Sequence, residues 1–424
     1  MIALNRVYWC LLIGTLGGCQ EEPPVVAAVA PRSAEAAQVL GDVPLADYQR
    51  DLLQFAFEAA SKFPSKPHSK NRGRAQDLVV SACFRMEQPL LAARYAPDVE
   101  GWRRGVAYAD FAWCCAKVGD AAQAKQYVKL ARYVLDEQRR DQHSQEWRAD
   151  KVRIKIARAL ATLGDDDSAQ SELAMVSPAS SGAVDSGWTH TMAERVSSMT
   201  LAEAKAELTR ITDLFPAQVL GDQYSSLMLL SGMHGQFFGD KKLRSAIEKL
   251  LFVTFQKLPT NLRLDAMAPL VEHYVENGDG DSGRDVILKM TNLMSQFSFR
   301  TEERLPQLAR IAQLRNTCGD TGRAEVELVA ALKDYHDHRD EVVNIYRCET
   351  LRPVALAWHA LGNTSQADDL IALALEESLE NPNSRPRCDD LVETCIALAE
   401  HQLKPSPELW QRMTEIGEGL SAPW

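Results

Sequence analysis

The 424-residue sequence has little that would make a strand, a catalytic centre or a nucleic-acid surface. No sustained alternation of β-branched and polar residues occurs, so sheets are not expected. GxSxG, HExxH and the Walker glycine loop are absent, which removes the commonest nucleophile, zinc and phosphate signatures. No CxxC pair is present, so zinc ribbons and thioredoxin-type chemistry are not suggested. Basic residues are in deficit, 47 Lys and Arg against 58 Asp and Glu, for a net charge of −11. A phosphate backbone is bound through a basic surface, so no nucleic-acid partner is expected. Beyond the N-terminus no apolar run reaches the ~20 residues of a membrane span.

What the sequence does have begins at its N-terminus. Arg6 precedes an apolar run from Val7 to Leu16, and Gly17 and Gly18 follow. This is the order of a secretory signal. Leu16-Gly17-Gly18-Cys19 resembles the lipobox of bacterial lipoproteins. That resemblance implies cleavage after residue 18 and a diacylglyceryl group on Cys19. Residues 19–47 form the lipidated cysteine and a Glu-, Pro- and Ala-rich flexible tether. The folded part would stand off a bacterial membrane, in the periplasm or outside the cell.

A repeat runs from about residue 48 to 400. A small residue is followed seven places on by Gly, then by Asp or Asn, then five places after the Gly by Ala. Four copies are clear: Ala112, Gly119, Asp120, Ala124; Ala157, Gly164, Asp165, Ala169; Ala312, Gly319, Asp320, Ala324; Ala355, Gly362, Asn363, Ala367. Weaker copies stand at Gly239-Asp240 and Gly278-Asp279, and two more without the glycine around Ala75 and Ala204. Gly ends one helix in the left-handed conformation, Asp caps the next, and the alanines let the two helices cross closely. The period of about 40 points to stacked helical hairpins.

These residues resemble tetratricopeptide repeats, with Ala82, Ala131, Ala331 and Ala374 in the second helix-B alanine position. The resemblance implies an all-α solenoid of about eight helix-turn-helix units, with 401–424 as a C-terminal capping segment. Units near 40 rather than 34 residues, mostly without the family's closing proline, leave another α-solenoid open. A Pro, Ser and Gly cluster at 177–187 marks a break.

Carried onto this chain, the family's ligand-facing positions hold Val106, Ala109 and Trp113, then Lys151, Ile154 and Arg158. They hold Ala309, Gln313 and Asn316 in the Gly319 copy, and Glu349, Arg352 and His359 in the Gly362 copy. Trp113, Lys151, Arg158, Gln313, Asn316, Arg352 and His359 are thus the candidate contacts for a protein or peptide partner, with an acidic or C-terminal carboxylate suited to the cations. Trp113 also reads as core. No cofactor or metal is expected. The Asp334–Glu341 segment reads as a solvated helix end, and the calcium-loop-like residues 277–285 as the repeat's own turn.

Apart from Cys10 and Cys19, seven cysteines remain; they read as buried core residues, with a Cys348–Cys388 bond left open. The expectation is a non-catalytic, lipid-anchored binding scaffold. An enzyme with a site on the array and a self-associating structural subunit of the envelope are the alternatives.

Overall fold

The structure is a computed structural model that describes residues 39–140, 145–177, 196–197, 199–218 and 220–424. Cys19, most of the tether and nearly all of the 177–187 break lie outside the described residues. Within them every regular element is a helix. In chain order come α1 (Asp47–Ser61), α2 (Ser65–Arg85), α3 (Pro89–Tyr95), α4 (Arg103–Lys117), α5 (Ala121–Arg139), α6 (Glu146–Thr162) and α7 (Asp166–Ala174). Next are α8 (Leu201–Leu214), α9 (Leu220–Gln236), α10 (Lys241–Phe255), α11 (Thr260–Glu276), α12 (Gly280–Gln296) and α13 (Thr301–Thr317). The last are α14 (Thr321–His338), α15 (Asn344–Ala360), α16 (Thr364–Leu379), α17 (Ser384–Glu400) and α18 (Pro407–Glu418).

The recurring sequence phrase makes the turns. Gly119, Gly164, Gly278, Gly319 and Gly362 have φ between 76° and 85°, the left-handed region. At each, the amide after the glycine reaches back to a carbonyl five residues earlier, as in Asp320 N to Arg315 O at 2.9 Å. Asp120, Asp165, Asp279 and Asn363 then cap the following helix through their side chains. Asp320 alone of this group makes no side-chain cap. The alanines of the four clear copies are all at most 3% exposed, so they lie where the paired helices touch. At Gly319 a Cβ would meet nothing within 4 Å, so the demand is on the backbone only. Gly319→Ala will therefore cost about 1 kcal/mol in urea unfolding. Gly319→Asn will cost less, because Asn tolerates the same conformation.

Each hairpin stacks on the next through its first helix. These A helices, α2, α4, α6, α9, α11, α13, α15 and α17, contact their neighbours in sequence order among the described residues, except across the undescribed stretch between α6 and α9. Their B helices α3, α5, α7, α10, α12, α14 and α16 pack behind them. One assignment shifts. Ala75 and Ala82 both lie on α2, so Ala82 is not in a second helix. The turn of that unit is at Glu87, which takes φ 56° without being glycine, and the alanine five places on is Ala92, fully buried.

The array's two ends meet. The principal partner of α17 is α1, from the opposite end of the chain, and α17 also touches α2. The first helix of the described chain thus supplies the B helix of the last unit. The Gln49 side-chain amide donates to Ala399 O at 2.8 Å, Tyr48 Oη to Gln402 O at 3.0 Å, and Lys62 Nζ to Gly417 O at 2.6 Å. Phe55 meets Trp410 on α18, and Phe63 meets Trp424. Leu52, Leu53 and Phe63 are fully buried and belong to one core that spans both ends of the chain. At ~2 kcal/mol per buried side chain, these three contribute up to about 6 kcal/mol, before the entropy of ordering α1 is set against them. Residues 401–424 lie at this seam, with α18 against α16 and α17.

All seven described cysteines are free thiols. The Cys348–Cys388 bond left open by the sequence is not formed. Cys348 Sγ faces Thr394 Oγ1 at 3.9 Å, and Cys388 Sγ donates to Ala59 O at 3.3 Å across the seam.

Candidate functional site

The A helices present a row of charges that pair from one helix to the next. Arg352 on α15 reaches Glu393 on α17 at 2.7 Å, and Arg74 on α2 reaches Asp389 on α17 at 2.5 Å. Arg103 on α4 faces Asp77 on α2 at 3.3 Å. Lys155 and Arg158 on α6 converge on Asp110 of α4 at 3.0 and 2.5 Å. Arg310 on α13 holds Asp265 on α11 at 2.8 Å. The spacing explains the row: Lys151, Lys155 and Arg158 fall on one helical face, as do Arg103 and Asp110, and Asp389 and Glu393.

The α4–α6 section has more cations than the rest. Trp102 and Trp147 stand edge to face, their centroids 5.4 Å apart. The Lys151 ammonium lies 5.9 Å from the first ring and 5.3 Å from the second; Arg103 and Arg148 lie over Trp102 and Trp147 at 4.6 and 5.5 Å. Among the described residues neither Lys151 nor Arg148 is ion-paired with a carboxylate, although Arg148 donates to the Gln145 side chain at 2.9 Å. Burial pushes the Asp77 carboxyl up to about 6, with Asp110 adding to it and Arg103, Lys155 and Lys151 opposing. Farther along, burial takes Asp390 up to about 7, against a hydrogen bond from Ser378 and the charge of Arg352.

The candidate residues sort into three environments. Lys151 is exposed on the row. Arg158 is not: it is 1% exposed, with its guanidinium 4.0 Å over the half-buried Trp113 ring and bonded to Asp110. It ties α6 to α4 and does not meet solvent. Arg352, 9% exposed, ties α15 to α17 in the same way. Asn316 donates to Ala360 O at 2.8 Å, and His359 Nε2 lies 3.1 Å from His401 O, so each links the end of its A helix to the end of the next. Gln313 is half-buried. Ala109, Ile154 and Ala309 are core, while Val106 and Glu349 are half-buried. The fold thus brings Trp113 and Arg158 together and sets Lys151 apart beside Trp102 and Trp147; Asn316 and His359 bond at the helix ends, while Arg352 pairs with Glu393.

Sequence reasoning missed Asp77, Trp102, Arg103, Asp110, Trp147 and Arg148. The i, i+7 spacing of Arg103 and Asp110 was the one available signal, since their partners come from other helices. Among the described residues no group of three His, Cys, Asp or Glu side chains converges as a metal site. In the Asp334–Glu341 segment, His338 Nδ1 turns to Asp334 O at 3.0 Å and Asp334 pairs with Arg304. In the calcium-like segment Asp279 caps the Ser282 amide at 3.2 Å.

No protein family's profile matches the chain, and no curated protein is similar to it. A solved structure described as a circular tandem repeat protein with novel repeat topology and enhanced subunit contact surfaces is similar at 13% identity, covering 88% of this chain and 94% of that one. Its TM-score of 0.18 is too low for residue-level comparison.

Proposed function

We propose that this protein is a non-catalytic binding scaffold of the bacterial cell envelope, held to a membrane by lipid on Cys19, that presents its row of A helices to a protein or peptide. The observation that carries the reading is the contrast within that row. Most of its charges are spent between helices, which ties neighbouring helices together, whereas Lys151 and Arg148 stand beside two tryptophans with no carboxylate ion-paired to them among the described residues. A face with such cations and aromatic edges suits an acidic segment or C-terminal carboxylate of a partner. The lipobox-like Leu16-Gly17-Gly18-Cys19 supports the anchor. No described helix is long and apolar enough to cross a membrane. Several acyl chains, at ~0.8 kcal/mol per buried CH₂, would hold the protein almost permanently.

Two measurements test this reading. Fluorescence anisotropy with a labelled peptide ending in consecutive glutamates should show binding that Lys151→Glu with Arg148→Glu weakens at least tenfold, while Lys333→Glu on the outer helix α14 leaves it unchanged. Equal binding by both variants would remove the face from the reading. In bacteria grown with labelled palmitate, the wild-type chain should take up label and Cys19→Ala should not. Uptake by Cys19→Ala would remove the anchor.

A further inference from the structure

Away from the charged row, two histidines meet in the core between consecutive units. His234 on α9 is 0% exposed, and His273 on α11 is half-buried. Their rings lie 5.7 Å apart between centroids, tilted by 30°, in a stacked arrangement. The chain makes room for this contact: a Cβ at Gly235 would sit 2.8 Å from His273 Cδ2 and 2.9 Å from its Nε2. A larger residue there would push α11 off α9, so the glycine is what admits the second ring.

The surroundings disfavour the charged form of both rings. His234 Nε2 faces Glu248 Oε1 of α10 at 3.3 Å, and Arg244 of the same helix already occupies that oxygen at 3.2 Å. Phe238 and Tyr274 close around the His234 ring edge to face. The Nδ1 atoms of both histidines are buried with no hydrogen-bond partner. A proton added to either Nδ1 would have no acceptor, and two imidazolium rings would then stack in an apolar core. Burial is the main cause that depresses both groups. Glu248 opposes it at His234, where His273 and Arg244 add to it; Glu276 opposes it at His273.

We propose that His234 and His273 form a pH-operated joint between the α9–α10 and α11–α12 units, closed while both rings are neutral and loosened as they take up protons. The sign follows from the depressed folded-state values. The joint's contribution is complete above the unfolded histidine value of about 6.5 and is lost as pH falls from there through the folded values. The joint sits apart from the α4–α6 face, so it stands or falls independently of the peptide-binding reading.

Hydrogen exchange of the full chain, corrected for intrinsic rates, tests it. Between pH 7.5 and pH 5.5 the amides of α9 and α11 should open at least tenfold more often, while those of α4 and α15 change far less. His273→Gln should remove most of that pH response. A wild type and variant with the same response, or α9 and α11 responding no more than α4 and α15, would overturn the joint. Should the variant fail to fold, NMR titration of the wild-type histidines decides: both rings titrating below the ordinary histidine value support it, and titration of either at or above that value overturns it.

Discussion

A chain lacking residues 47–61 will lose amide protection in α17 and α18, some 350 residues downstream of the deletion. The reason is that α1 is the packing partner of α17. Removing it exposes Cys388, Leu391, Val392, Cys395 and Leu398, all 0% exposed in the closed array. A helix whose apolar face is uncovered on that scale does not stay folded by its own propensity. The deletion will thus be felt at both ends of the chain, and least in α11–α13. A point change makes the same test quantitative. Leu53→Ala, at 0% exposure on α1, will cost about 3 kcal/mol in urea unfolding and raise exchange in α17 more than in α5. Loss of protection confined to α2 and α3 would mean that α1 is a peripheral helix.

Asp110→Ala will destabilise the protein by about 3 kcal/mol or more, an effect far larger than an exposed ion pair would give. Arg158 is 1% exposed and bonded to Asp110, its guanidinium lies over the Trp113 ring, and its Nε and Nη1 are buried with no hydrogen-bond partner. Without the carboxylate, a guanidinium stays buried between α4 and α6 with only a ring face to meet it. The double variant Asp110→Ala with Arg158→Met will recover much of the loss, because an apolar side chain of similar length needs no counter-charge. Equal stability of Asp110→Ala and wild type would show that Arg158 escapes to solvent, and the row of A helices would then not be tied together there. The pH profile adds a second signature. Asp77 and Asp390 have folded values raised to about 6 and about 7, so each binds its proton more tightly folded than unfolded. They add stability as pH falls from about 7 toward 4, opposite in sign to the histidine joint.

The turns were legible because their physics is local. A glycine in the left-handed region, an Asp cap and an alanine five places on are all required within one short stretch, and the sequence repeats them. Where another residue takes the left-handed slot the signal fades. Glu87 and Gln402 both have φ 56° and make the same backward bond, Gln88 N to Cys83 O and Leu403 N to Leu398 O. Neither turn carries a glycine to mark it, so the sequence pattern around Ala75 and Ala82 falls within one helix instead of across the turn.

The seam was not legible at all. The sequence of α1, DYQRDLLQFAFEAAS, shows an amphipathic helix, but nothing local tells it that its partner is α17. The charged row was half legible. Positions carried over from the resemblance to the repeat family fall on Lys151, Arg158 and Arg352, yet the two arginines are buried against acids contributed by other helices. Asp110 is 48 residues from Arg158, and that pairing appears only when the hairpins stack.

The packing of α1 on α17 is the claim on which the stability of α1, the burial at the seam and the contact of α17 with α2 all depend. Spin labels at Asp51→Cys on α1 and Gln411→Cys on α18, with Cys114 and Cys318 replaced by serine, measure it directly by pulsed electron resonance. One short, narrow distance distribution is expected, as for two helices packed in the same unit. A long or broad distribution would show an open array with a free first helix, and would contradict it.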